Sequence, residues 1–185
     1  MISLPFRRPP SAPSIDALYG MIVAQARSPS FYRSYGVPDT VAGRLDMIVL
    51  HLVLLLKSTA AGIATAAGQR LFDRFCQDID DNFREMGVGD LAVPKEMRRV
   101  AEAFFGRQKA YQAALASADP DVLAATVARN VFGLAEPPPG AYRLAGYMRE
   151  TAHRLGDQGA GALTGATLDF PDPETIAAPR TQAAP

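Results

Sequence analysis

Residues 71–115 form two amphipathic segments, the first acidic and the second basic, separated by a hinge that contains two glycines. The hinge reads Met-Gly-Val-Gly-Asp-Leu. Apolar residues recur on both sides of it with the spacing of an α-helix and not of a strand. They are Leu71, Phe72, Phe75, Cys76, Ile79, Phe83 and Met86, followed by Met97, Val100, Ala101, Phe104, Phe105, Tyr111 and Leu115. The pattern predicts a helical hairpin in which Gly87 ends the first helix and Pro94 lies in the first turn of the second.

Helical spacing also appears in the rest of the chain up to Leu155, and no segment alternates like a strand rich in Val, Ile and Thr. Four further helices are expected. The first begins after Ser14 and ends before Pro29, and the second begins at Asp39 or Thr40 and reaches about Lys57. The third begins at Asp119 and Pro120 and is ended by Gly133, and the fourth runs from about Ala141 to Leu155. We therefore predict an all-α fold: a single-domain bundle of about six helices, with disordered or loosely docked termini.

The ends of the chain differ in composition from its middle, which suggests the domain limits. We expect a flexible N-terminal segment at 1–13, a helical domain at 14–155, and a tail rich in Gly, Ala and Pro at 156–185. A tail of that composition buries too little apolar surface to offset the entropy lost on ordering. Leu168 and Phe170 are the tail residues that could still dock on the body.

The charge balance limits the classes of partner. The chain has 19 Lys and Arg against 19 Asp and Glu, so it has no net field that would attract nucleic acid or anionic lipid over a distance. Basic and aromatic residues do occur together after Pro94, but Phe104 falls on the apolar stripe and is predicted to face inward. We expect no specific nucleic-acid partner, although a local patch could still meet a phosphate-rich surface such as a ribosome.

Several features favour a soluble protein in a reducing compartment. The chain has a single cysteine, Cys76, which lies on an apolar stripe and cannot close an internal disulfide. The N-terminus has no apolar run of signal-peptide length. Residues 47–56 are apolar apart from His51, but ten residues are too few to cross a bilayer, which needs about 20.

The sequence offers no convincing catalytic or metal site. Glu150 and His153 have the spacing used by di-iron bundles, but the second pair is missing, because Ile48 stands where the other histidine, His51, would need a glutamate. The acidic run Asp78, Asp80, Asp81 and Glu85 has no histidine near it, and the neighbouring Cys76 falls on the apolar stripe. The run is typical of a solvated helix face that pairs internally and with the basic helix. We therefore expect no enzyme, no cofactor and no metal. His51 itself is either a buried, hydrogen-bonded core residue or part of an exposed groove.

Several short motifs occur in an order that resembles the ubiquinol-cytochrome c chaperone family. They are Tyr35-Gly36-Val37-Pro38-Asp39-Thr40 followed by Gly43-Arg44 and His51, then Met86-Gly87-Val88-Gly89-Asp90, then Ala103-Phe104-Phe105-Gly106-Arg107 with Tyr111, and finally Arg129-Asn130-Val131-Phe132. The resemblance covers roughly residues 34–133. One departure is Phe105, which stands where many relatives are expected to have tyrosine.

The resemblance implies a non-enzymatic assembly factor that binds newly made cytochrome b and promotes assembly of the ubiquinol-cytochrome c reductase complex. It also implies action at a membrane surface, on the cytoplasmic side of the inner membrane in a bacterium or on the matrix side in mitochondria. Mitochondrial members work with a small partner subunit near the ribosomal exit. The Ala- and Arg-rich composition is typical of a bacterial member, for which a partner subunit and a ribosome contact stay open.

The residues that match family motif positions suggest a groove beside the long apolar helix. The candidate partner contacts are Arg44, His51, Asp78, Asp81, Arg84, Arg107 and Tyr111, each with the alternative of a buried structural role. Two other classes of function stay open at this point. One is a helical protein that handles haem or another cofactor, with His51 or His153 as axial ligand. The other is a general helical interaction scaffold.

Overall fold

The computed structural model describes residues 15–59, 62–159 and 167–177. Its α-helices are α1 (Ile15–Ala26), α2 (Pro29–Arg33), α3 (Val41–Lys57), α4 (Ala66–Glu85), α5 (Val93–Ala116), α6 (Pro120–Val127) and α7 (Pro139–Gln158). Short 3-10 helices occupy Gly62–Ala64 and Pro173–Thr175. Six of these α-helices have eight or more residues, and the described ranges contain no strand, which confirms the predicted all-α bundle.

The central element is α3, which is covered by other helices along most of its length. All ten residues from Met47 to Leu56 are buried. Helix α3 packs against α1, α5 and α7, so a continuous apolar run is needed where an ordinary surface helix would have only a stripe. This explains why ten apolar residues interrupted only by His51 occur in a single helix.

Side chains and glycines set the helix ends largely where the sequence indicates. The Thr40 hydroxyl accepts a hydrogen bond from the Gly43 amide and caps α3, and the Asp119 carboxylate accepts one from the Asp121 amide and caps α6. Gly87 follows α4 with φ of 80°, a conformation that favours glycine over residues with a side chain. The predicted cap of α1, Ser14, lies outside the described residues.

The predicted hairpin is present: α4 and α5 lie against each other across the hinge. The ring of Phe104 is fully buried and its centroid lies 4.8 Å from that of Phe72 and 5.9 Å from that of Phe75. The expected ion pairs between the two helices are absent from the described residues. Arg99 pairs with Glu96 of its own helix instead, so ring packing and not charge joins the hairpin.

Two stretches differ from the simple helical expectation. The predicted helix from 120 to 132 changes after Val127 into one π-helical segment, Ala128–Phe132, before Gly133 ends it with φ of 67°. The stretch 167–177 has almost no regular structure, yet it lies on the helical body, with Pro171 and Pro173 buried. Leu168 and Phe170 pack against the core, as their apolar character suggested. We call residues 167–177 the C-terminal strap; the domain limits at 13 and 156 stay a prediction.

Candidate functional site

A half-open cavity of about 260 Å³ lies between α3 and α4, and we call it the α3–α4 groove. Its lining is mainly apolar, with charged and polar groups among it: Arg27, Val41, Arg44, Leu45, Ile48, Asp78, Ile79, Asn82, Phe83 and Met86. Two of the lining side chains are large, apolar and exposed, Val41 by 72% and Met86 by 57%. An apolar surface of this kind on a helical body is a site where a partner can bury its own apolar residues.

The local sequence explains why these two side chains stay exposed. Val41 is the first residue of α3, just after the Thr40 cap, so it projects beyond the covered part of that helix. Met86 follows the last residue of α4, where Gly87 turns the chain away. The start of α3 and the end of α4 therefore each leave an apolar side chain at the rim of the groove without a neighbouring helix to cover it.

Two charged groups of the α3–α4 groove, Arg44 and Asp78, are held in place by contacts. Arg44 donates from Nε to the Asp39 carboxylate at 2.7 Å, and both side chains are 56% exposed. The carboxylate of Asp78 accepts a hydrogen bond from the Tyr19 hydroxyl at 2.9 Å. Burial, followed by the charge of Asp78 and that hydrogen bond, raises the pKa of Tyr19 well above its usual range, so the hydroxyl stays protonated as a donor.

A second cavity, of about 230 Å³, lies on the other side of Leu45 between α3 and α5. It is lined by Ala42, Leu45, Asp46, Val49, Glu96, Arg99, Val100, Ala103, Phe104 and Arg107. The Arg107 guanidinium donates to Asp46 at 2.6 Å, and the two side chains are only 23% and 15% exposed. Desolvation raises the pKa of Asp46 to about 6, although the charge of Arg107 opposes that shift.

His51 lies in the interior and is part of a chain of hydrogen bonds. Its Nδ1 lies 2.7 Å from the Met47 carbonyl, which can only accept, so Nδ1 carries the proton and Nε2 accepts from the Tyr147 hydroxyl at 2.8 Å. The Gln25 amide donates to the same hydroxyl at 2.9 Å and to the Pro171 carbonyl at 3.1 Å. Burial lowers the pKa of His51 to about 4, and the bond to Met47 acts against that shift. This network joins α1, α3, α7 and the C-terminal strap.

The structure divides the seven predicted contact residues into three groups. Arg44 and Asp78 line the α3–α4 groove, and Arg107 lines the second cavity. Asp81 and Arg84 are exposed beyond the groove, on α4, where Arg84 pairs with Asp80 and with Asp90 of the hinge. His51 and Tyr111 have no exposed surface, which favours the buried structural alternative that the sequence left open for both.

Sequence reasoning did not assign a site role to several residues that shape this region. Tyr147 and Gln25 complete the hydrogen bonding of His51, although they lie 96 and 26 positions from it in the chain. Val41 and Arg27 border the α3–α4 groove through tertiary packing alone. The exposed apolar residue just after the Thr40 cap was the one local signal that could have indicated Val41.

Each histidine has a partner on at least one ring nitrogen. Both ring nitrogens of His51 are engaged, so ligation would require breaking its bond with Tyr147. His153 is exposed and its Nδ1 lies 3.2 Å from the carboxylate of Asp157, while Glu150 accepts from Arg154 at 2.6 Å. In the described part of the chain, no three His, Cys, Asp or Glu side chains are grouped so that they could hold a metal ion.

None of the helices among the described residues combines the length and the apolar character needed to cross a membrane. Comparison with curated proteins found no match.

Two comparisons relate the chain to known proteins. The model of the family described as ubiquinol-cytochrome C chaperone matches residues 33–170. The crystal structure of the Cbp3 homolog from Brucella abortus is similar, with a TM-score of 0.77 and 34% sequence identity. That match covers 88% of this chain and 91% of the Brucella chain. Since the family match spans helices α3 to α7 and more than half of the chain, the chain belongs to the ubiquinol-cytochrome c chaperone family.

Proposed function

We propose that this protein binds an apolar segment of newly made cytochrome b in the α3–α4 groove. It holds that segment until the ubiquinol-cytochrome c reductase complex is assembled, and it acts by binding alone, without catalysis. The observation that supports this most directly is the exposed apolar rim formed by Val41 and Met86 on the body of a chaperone family member. Because the client is a membrane protein, we infer that binding occurs at the membrane surface.

The composition of the α3–α4 groove fits an apolar helix with polar ends. Ile48, Ile79 and Phe83 form an apolar lining, and the charged groups of Arg44 and Asp78 lie beside it. A helix in such a groove buries residues from one face and keeps its polar residues in solvent. Complete burial of an apolar side chain contributes about 1.5–3 kcal/mol. Met86 is 57% exposed in the free protein, so a client that covers it would gain about 1 kcal/mol from this side chain.

The experiment is the capture of cytochrome b from detergent-solubilised membranes with tagged wild-type protein and with variants of the groove. Met86→Glu places a charge where the client is expected to bury apolar surface, and should reduce the recovered cytochrome b about fivefold or more. Val122→Glu is the matched control. Val122 is an exposed apolar residue on α6, 41% accessible and outside the α3–α4 groove, so its substitution should leave recovery unchanged.

Three results would contradict the proposal. If the wild-type protein recovers no cytochrome b, cytochrome b is not its client. If Met86→Glu and Val122→Glu reduce the recovered cytochrome b equally, the α3–α4 groove is not its binding site. If deletion of the gene leaves the amount of assembled reductase unchanged, the protein has no role in its assembly. Circular dichroism of each variant at 222 nm checks that the helices are retained.

A further inference from the structure

A third cavity, of about 280 Å³, lies where α1, α2 and the start of α3 meet. Its lining consists of Arg27, Pro29, Tyr32, Arg33, Asp39 and Arg44, and we call it the arginine pocket. Three of these six residues carry a guanidinium group and one carries a carboxylate. The local balance is therefore strongly positive in a chain whose overall charge is zero.

Two of the three guanidinium groups have no carboxylate partner. All 19 aspartates and glutamates of the chain fall within the described ranges, and none of them forms an ion pair with Arg27 or Arg33. The single acid of the pocket, Asp39, is already paired with Arg44 at 2.7 Å. The pocket thus has more guanidinium groups than partners among the Asp and Glu side chains, all of which lie in the described ranges.

Tyr32 lies between these cations. Its hydroxyl donates to the Ala26 carbonyl at 2.9 Å, which fixes the ring in the pocket. Burial raises the pKa of Tyr32, and the charges of Arg44 and Arg27 both act against that shift, so two guanidinium groups are close enough to affect its hydroxyl. The hydroxyl hydrogen of Tyr32 is used in this bond, so the tyrosine ring forms a wall of the pocket and the arginines supply the donors.

The chemistry of this pocket matches a phosphate group. Guanidinium groups bind phosphate oxygens through paired, charge-assisted hydrogen bonds, and several arginines around one cavity suit an anion with several oxygens. The pocket also shares Arg27 and Arg44 with the α3–α4 groove, so an anion bound there would lie next to apolar surface. A phospholipid headgroup presents this combination of phosphate and apolar chain, and a free phosphate compound presents the phosphate alone.

We propose that the arginine pocket is a binding site for a phosphate group, held by Arg27, Arg33 and Arg44. This site goes beyond the proposed client binding. Arg27 and Arg44 also line the α3–α4 groove, but Arg33 does not, and the apolar side chains Val41 and Met86 that carry the client proposal do not line the arginine pocket.

The test uses the full chain and two sources of phosphate. In one arm, inorganic phosphate is titrated against chloride of equal ionic strength, and binding is followed by NMR of the arginine side-chain Nε–H signals. In the other arm, the protein is co-sedimented with vesicles of phosphatidylcholine alone or of phosphatidylcholine with phosphatidylglycerol. The double variant Arg27→Gln/Arg33→Gln should weaken binding at least about tenfold in whichever arm is positive.

The matched control is Arg98→Gln/Lys109→Gln, which removes the same charge from exposed positions of α5 outside the pocket. Binding that survives in the control and is lost in the pocket variant supports the proposal. A response to inorganic phosphate alone identifies a free phosphate compound as the source, and a response only to phosphatidylglycerol vesicles identifies a lipid headgroup. The proposal is overturned if neither arm shows binding, or if the control variant loses as much binding as the pocket variant.

Discussion

The buried imidazole of His51 makes the free energy of unfolding depend on pH in a way that can be calculated. The pKa of His51 is about 4 in the folded protein, against 6.5 for a solvated histidine. Below pH 6.5 the imidazole therefore takes up a proton in the unfolded chain, whereas in the folded protein it stays neutral until about pH 4. The stabilising contribution is complete above pH 6.5 and is lost as the pH falls from 6.5 to about 4.

The expected loss is about 3 kcal/mol, because one pKa unit corresponds to about 1.36 kcal/mol and the two pKa values differ by about 2.5. Asp46 acts in the same pH range with the opposite sign. Its pKa is raised to about 6, so the folded protein takes up a proton more readily than the unfolded chain, and this contribution to stability rises as the pH falls. The pH profile of the wild-type protein therefore mixes two effects that partly cancel.

A comparison with His51→Leu/Tyr147→Phe isolates the histidine. The double substitution removes the imidazole and the hydroxyl that donates to it, so no buried donor of that pair is left without its partner. Asp46 is present in both proteins and its contribution cancels in the difference. Urea unfolding followed at 222 nm, at several pH values from 7.5 to 4, gives the two free energies of unfolding.

We expect the wild-type value minus the variant value to fall by about 3 kcal/mol between pH 7.5 and 4, with a slope near 1.4 kcal/mol per pH unit below pH 6.5. A difference that stays constant within about 0.5 kcal/mol would refute the reasoning. It would mean that the imidazole takes up its proton at the same pH in the folded and the unfolded protein, so that the hydrogen bonds to Met47 and Tyr147 do not hold it in its neutral form.

Two further pairs of substitutions test packing and charge. Gly140→Ala should cost about 2 kcal/mol or more of stability, because a Cβ at Gly140 would overlap the carbonyl oxygen of Tyr35. Gly20→Ala, which adds a methyl group in open space within α1, should gain about 0.5–1 kcal/mol. Thermal unfolding that ranks the two variants the other way would contradict the close approach of Gly140 to Tyr35. Arg107→Gln should cost about 2 kcal/mol at pH 7.5, since it leaves a mostly desolvated carboxylate unpaired. Arg44→Gln should cost much less, because its ion pair with Asp39 is exposed, and equal losses in urea unfolding would speak against this difference.

The helices could be predicted because each has a local cause. Apolar spacing located α1, α3, α4, α5 and α7, and the signals that limit them act on the next few residues only. Asp119 and Thr40 cap helices, and Gly87 and Gly133 end them with positive φ, as the sequence indicates. The inward position of Phe104 also followed from its place on an apolar stripe.

The remaining features depend on contacts between distant parts of the chain. Arg44 and Asp78 line the same groove although they lie 34 positions apart, and no local pattern places them together. The composition of the C-terminal strap indicated little burial, yet Pro171 and Pro173 are buried. Their carbonyls accept hydrogen bonds from Gln25 of α1 and from Tyr35, which follows α2. Arg107 pairs with Asp46 on α3 and not with the acidic helix, because α5 packs against α3 as well as α4.

The C-terminal strap also bears on the order of events in folding. It reaches α1 through Gln25 and Pro171, 146 positions apart, and α2 through Ser30 and Glu174, 144 positions apart. Contacts between such distant residues carry a large loop-closure entropy and tend to form late. The ring of Phe170, which lies 5.4 Å from that of His51, therefore covers the imidazole only after the helices have come together. A refolding intermediate with its helices formed but His51 still open to solvent is the kinetic signature that this arrangement implies.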